Sequence, residues 1–110
     1  MKISKLKDYT LIISEENSFQ EFYDSFFSKE LHKVTTHKIV QLSENLNTTV
    51  ANLSLFLNIA NEHRTNGTSF VVICTEIDID EIPDEINIVP TLTEAEDVLE
   101  MEAIERDLGF

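Results

Sequence analysis

With a single cysteine, Cys74, the chain cannot form an internal disulfide, and it has no tryptophan. Without a cystine framework the fold must rest on its hydrophobic core, and a reducing, cytoplasmic setting is expected. Glycine and proline occur only twice each in 110 residues, which excludes collagen-like, low-complexity and linker-rich chains. Gly67 and Gly109 stand alone, so no glycine-rich loop is available to cradle a phosphate. Long apolar runs are missing as well. The one that follows the N-terminal Lys2, Lys5 and Lys7 is Leu11–Ile13, too short for a signal-peptide core or a membrane span.

Positive charge is the scarcest resource. Eight Lys and Arg stand against 21 Asp and Glu, for a net charge of −13. From Met1 to Thr75 there are 8 acidic and 7 basic residues, whereas from Glu76 to Phe110 there are 13 acidic residues and only Arg106. Nucleic-acid affinity rests on neutralising phosphates with Lys and Arg, so nucleic-acid partners are not expected. Anionic membranes are disfavoured for the same reason. The acidic third either keeps a small protein soluble or meets a basic partner.

What is present suffices for one domain spanning residues 1–110, since 42% of the residues are hydrophobic. A chain of this length buries roughly two-thirds of its unfolded surface. Lys2–Lys7 reads as a short strand that pivots at Lys7-Asp8 into a β-rich strand, Tyr9–Ser14. Ser18-x-x-Glu21 has capping-box spacing. Phe19, Phe22, Tyr23, Phe26 and Phe27 then trace one face of a helix predicted to run to Lys33. Lys38–Leu42 is a strand. A single helix is predicted from Thr49 to Arg64, capped by Asn47 or Thr48 and stopped by Gly67. Its buried stripe would be Val50, Leu53, Phe56, Leu57 and Ala60, widened by Leu55 and Ile59.

Phe70–Cys74 is continuously apolar, the pattern of a strand buried on both faces of a parallel sheet. Pro83 confines the following acidic segment to a loop or short helical piece. Ile88 and Val89 form a last short strand. Thr93-x-x-Glu96 is read as the cap of a final helix ending near Asp107, with Ala95, Val98, Leu99, Met101 and Ile104 on its apolar face. Strands alternating with helices predict an α/β domain, with a mixed, mostly parallel sheet of four to five strands and three to four helices.

Chemistry is harder to find. His32, His37 and His63 share no zinc-motif spacing and are expected at the surface or at helix ends. The run Asp78, Asp80, Glu81, Asp84, Glu85 invites calcium. An EF-hand loop counted from Asp78, however, would place Ile82 and Pro83 where an oxygen ligand and glycine are required. Beside Glu76, Cys74 is expected to be a small buried hydrophobe and not a thiolate. A G-x-S-x-G nucleophile elbow is absent. Neither a cofactor, a metal nor a catalytic residue is therefore assigned.

The order Tyr9–Ser14, amphipathic helix, KIVQLSENL (Lys38–Leu46), apolar helix ending at Gly67, and SFVVIC (Ser69–Cys74) resembles a STAS domain. That is the fold of bacterial anti-anti-sigma factors and of the cytosolic tails of sulfate transporters. The ending Ile88–Phe110 is similar to short STAS-like proteins of Bacteroidetes, some of which carry the name ribonuclease Z. The H-x-H-x-D-H metal string of that nuclease is absent here, so the name does not apply.

The resemblance implies a non-catalytic, regulatory module. In anti-anti-sigma members a serine at the start of the second main helix is phosphorylated by a partner kinase that is also the anti-sigma factor. Aligning Leu53 and Gly67 with the family's D-S-S-G-L leucine and its later glycine puts Thr49 on the aspartate. Val50 and Ala51 then fall on the two serines, and Asn52 on the glycine. The serines are missing, so Thr48 or Thr49 would have to carry any phosphate. The partner-binding segment implied is Thr48, Thr49, Val50, Ala51, Asn52 and Leu53. Its partner would be a protein of the anti-sigma or kinase kind, with a homodimer as another possibility. Two other readings stay open: an accessory subunit without switching, and a divalent-ion-dependent hydrolase using Asp78, Asp80 or Glu81.

Overall fold

Strand-forming sequence and the need to cover both faces of a parallel sheet account for the architecture. The structure is a computed structural model that describes residues 1–75 and 77–109, the side chain of Ile79 excepted. The described residues form five strands, β1 (Lys2–Lys5), β2 (Thr10–Ile13), β3 (Lys38–Gln41), β4 (Phe70–Ile73) and β5 (Asn87–Val89). They lie in the sheet in chain order. The Lys7-Asp8 pivot makes β1 antiparallel to β2, pairing Lys2 with Ile13 and Lys5 with Thr10. The remaining pairs are parallel, with Thr10, Lys38 and Phe70 in one row across β2, β3 and β4. Parallel neighbours need long crossovers, and helices supply most of them.

Those helices are α1 (Phe19–Ser28), α2 (Val50–Ser54), α3 (Leu57–Asn66) and α4 (Leu92–Asp107). Because side chains alternate along a strand, Ile12, Val40 and Val72 face one way. They form a core with Phe22 and Phe26 of α1, Leu53 of α2 and Ile59 and Ala60 of α3. Ile39, Val71 and Ile73 face the other way and meet Ala95 and Leu99 of α4. All four residues of β4 are buried, as its apolar run predicts.

Several boundaries differ from expectation, each for a local reason. Helix α1 ends at Ser28 and not Lys33. Glu30 adopts φ 60°, and the Leu31 N–H turns back to the Phe26 carbonyl at 3.0 Å. The expected single helix from Thr49 to Arg64 breaks at Leu55-Phe56. There the Ser54 hydroxyl donates to the Val50 carbonyl at 2.9 Å, a back-bond that bends helices. The Leu55 and Phe56 amides bond three residues back, to the Asn52 and Leu53 carbonyls. The break drops Phe56 into contact with Phe19, Tyr23, Phe26 and Phe70 at ring separations of 5.6–5.8 Å. The Tyr23 hydroxyl donates to the Leu55 carbonyl that the break releases. Leu55 is consequently exposed, whereas Ile59 is buried.

The cap of α4 is Thr91, with Thr91 Oγ1 accepting from the Glu94 N–H at 3.2 Å; it is not Thr93. Glu96 instead accepts the Tyr9 hydroxyl at 2.8 Å, and Glu102 accepts from Asn87 at 3.1 Å. These polar ties, with Arg106 donating to Ser69 Oγ at 3.3 Å, hold α4 across the sheet. Beyond Leu99 its apolar residues do not reach the core. Met101 and Ile104, expected on the packed face, are exposed. Cys74 lies just past β4 and is half-buried.

His63 also departs from the surface position expected of it. The ring is buried, stacks on Phe70 at 5.3 Å and lies 2.7 Å from Thr68 Oγ1 through Nδ1. Burial holds its pKa down to about 4, with Lys38 and His37 adding like-charge repulsion. The neutral ring therefore stabilises the fold above the ordinary value of 6.5. As the pH falls from there towards about 4, the unfolded chain takes up a proton that the fold refuses. Stability should drop by at most about 3 kcal/mol over that window. Thermal melts between those pH values should show the slope in the native chain and a much flatter line in His63→Gln.

Candidate functional site

The segment that the resemblance singles out lies where β3 and β4 end at their C-terminal edge. Leu42 continues the pairing through a 3.0 Å bond from its N–H to the Ile73 carbonyl. The Ser43 N–H donates to Ser14 Oγ at 2.8 Å, fixing the loop to the end of β2. A short 3-10 turn, Glu44–Leu46, buries Leu46, and Asn47 takes a left-handed conformation at φ 49°. Asparagine tolerates that region better than most residues. The chain thereby reverses into α2.

The cap of α2 is Thr49, one residue after the Thr48 and two after the Asn47 expected from sequence. Thr49 Oγ1 accepts from the Asn52 N–H at 3.1 Å, and the Thr49 N–H donates to Asn52 Oδ1 at 3.0 Å. Asparagine thus completes a reciprocal box usually closed by Glu or Gln. A scan for S/T-x-x-E misses it. With only five residues, α2 is also too short to build the dipole of a long helix.

The six expected site residues do not share one surface. Thr49 and Ala51 are exposed, Val50 and Asn52 are half-buried, and Leu53 is fully buried. Thr48 is half-buried, and its Oγ1 lies out of solvent with no hydrogen-bond partner among the described residues. It borders a hollow of about 240 Å³, with Ser43, Glu44, Asn47, Cys74 and Thr75 on its walls. Of the two threonines, Thr49 is therefore the solvent-exposed one.

No protein-family model matches the chain, and no curated protein matches it.

Of the other candidates, the Asp80 N–H donates to Asp78 Oδ1 at 3.0 Å, a local turn. Among the described residues no three His, Cys, Asp or Glu side chains gather as metal ligands. His37 accepts the Ser69 N–H at Nδ1 (2.9 Å), and burial lowers its pKa. Among the described residues no helix is long and apolar enough to cross a membrane. A second exposed feature that sequence periodicity obscured is the outer face of α4, where Met101, Ile104 and Leu108 are 59%, 58% and 66% exposed. Phe110, expected to add an apolar contact, lies outside the described residues, as does Glu76.

The cap is directly testable. Thr49→Ala should cost about 1 kcal/mol, or about 4 °C in melting temperature. Thr49→Ser should stay within a few tenths of a kcal/mol of the native chain, since serine caps equally well. Calorimetry on the two variants separates the hydroxyl's capping role from its bulk.

Proposed function

We propose that the chain is a non-catalytic, STAS-like protein-interaction module that docks a regulatory protein through the turn from Thr48 to Leu53. The observation that carries this reading is the exposure of Thr49 and Ala51 on a turn immobilised from beneath. Leu46, Leu53 and Phe56 anchor it in the core, and the Thr49–Asn52 box closes its start. A surface held in one conformation loses little entropy on binding, which is what a recognition turn needs. Leu55 is 47% exposed one turn further on and extends the same surface with an apolar contact.

The anti-sigma or kinase-like partner implied by the resemblance fits this surface in a modified form. A phosphate on Thr49 would take its oxygen out of the bond to the Asn52 N–H and add about −1.5 to −2 charges beside α2. The accessory-subunit reading, with no switch, draws support from the same bond, since the Thr49 hydroxyl is already engaged.

Ala51→Arg decides whether the turn is a docking surface. The position is exposed and arginine is a good helix former, so stability should change by no more than about 0.5 kcal/mol. Affinity for a stoichiometric partner captured from native lysate should fall by about tenfold or more. Unchanged capture by the variant would place the partner surface elsewhere. Mass spectrometry of the captured chain for phosphate on Thr49 separates the switching from the non-switching form.

A further inference from the structure

Five of the six lysines line one groove, although they come from three separate stretches of sequence. Lys5 ends β1, Lys7 lies in the β1–β2 connection, Lys29 and Lys33 follow α1, and Lys38 opens β3. Asp8 and Glu30 are the groove's acidic residues, and Glu30 is tied to Lys33 at 3.0 Å. The groove therefore carries +3 in a chain of net −13. It encloses about 600 Å³, within the range of small-molecule sites. It lies at the N-terminal ends of β2 and β3, the opposite end of the sheet from the α2 turn.

Lys38 makes this more than a cluster of surface lysines. Its side chain is only 4% exposed and lies in the row between Thr10 and Phe70. Among the described residues its ammonium donates to the Lys33 carbonyl, and no carboxylate comes within ion-pair distance of it. An ammonium has three N–H donors, and a buried charge without a counter-charge is costly. Lys5, Lys7 and Lys29 likewise have no ion-pair partner among the described residues. The hydroxyls of Thr35 and Thr36 add neutral donors to the same walls, whereas the Thr68 hydroxyl is engaged by the Val34 and His63 carbonyls.

We infer that this groove binds a small anion carrying two or more charges, of the phosphoester or polycarboxylate class, with Lys38 as its buried counter-charge. An extended polyanion such as nucleic acid is disfavoured because the surface outside the groove is strongly negative. The site is independent of the α2 turn, so the failure of one leaves the other standing.

Titration calorimetry at low salt, with inorganic pyrophosphate and citrate as separate probes, tests it. At least one probe should saturate a single site with a dissociation constant of about 1 mM or tighter. Which of the two does so assigns the class. The double variant Lys7→Gln with Lys29→Gln should weaken binding by about tenfold, since charge-assisted contacts are lost. Lys2→Gln, the lysine outside the groove, should leave binding unchanged. Lys38→Met should abolish it, and if that variant does not fold the surface double variant still decides. The assignment is overturned if neither probe saturates, or if Lys2→Gln weakens binding as much as the double variant.

Discussion

The parallel pairing of β3 with β4 is the contact on which the rest of the molecule depends. Ile39, Val40, Val71 and Val72 have no solvent exposure, although they alternate between the two faces of the sheet. A pair that is dry on both sides must be covered on both sides. That requirement places α1, α2 and α3 over Val40 and Val72, and brings α4 across Ile39 and Val71. Once the two layers are in place, the two ends of the sheet are the regions left to carry specific surfaces. The α2 turn occupies one end and the lysine groove the other.

The strands, the approximate start of each major helix and the α/β class were legible in the sequence because each depends on short-range pattern. Phe70–Cys74 was readable as a doubly buried strand because apolar residues occupy consecutive positions. The break between α2 and α3 was not, because it depends on Ser54 choosing its own backbone and on Phe56 finding four aromatic rings distant in sequence. The cap of α4 shows the same limit. Thr91-x-x-Glu94 and Thr93-x-x-Glu96 have identical local spacing. Tyr9, far away in the chain, engages Glu96 and leaves Glu94 to the cap at Thr91.

Charge was legible as a total but not as a distribution. The acidic C-terminal third was evident, yet its apparent role as a uniformly solvated face is incomplete. Glu96 and Glu102 also fasten α4 to Tyr9 and Asn87. The lysines looked scattered, and only the sheet order brings residues 5–7, 29–33 and 38 to one place. His63 misled for a related reason. A histidine in the last turn of a helix ordinarily suits the dipole, but here α3 turns that position onto Phe70. The proposed docking segment is one continuous stretch of chain. Its division into exposed Thr49 and Ala51 and buried Leu53 required coordinates.

A dry strand pair supporting a separately fastened turn should have two distinct levels of local stability. Native-state hydrogen exchange resolves them directly. The account predicts that the amides of residues 39–42 and 71–73 exchange only through global unfolding. The amides of 52–56, held by the Thr49 box and short-range bonds, should open at a measurably lower free energy and lose that protection first in Thr49→Ala. Equal protection of both groups, unchanged by Thr49→Ala, would contradict it.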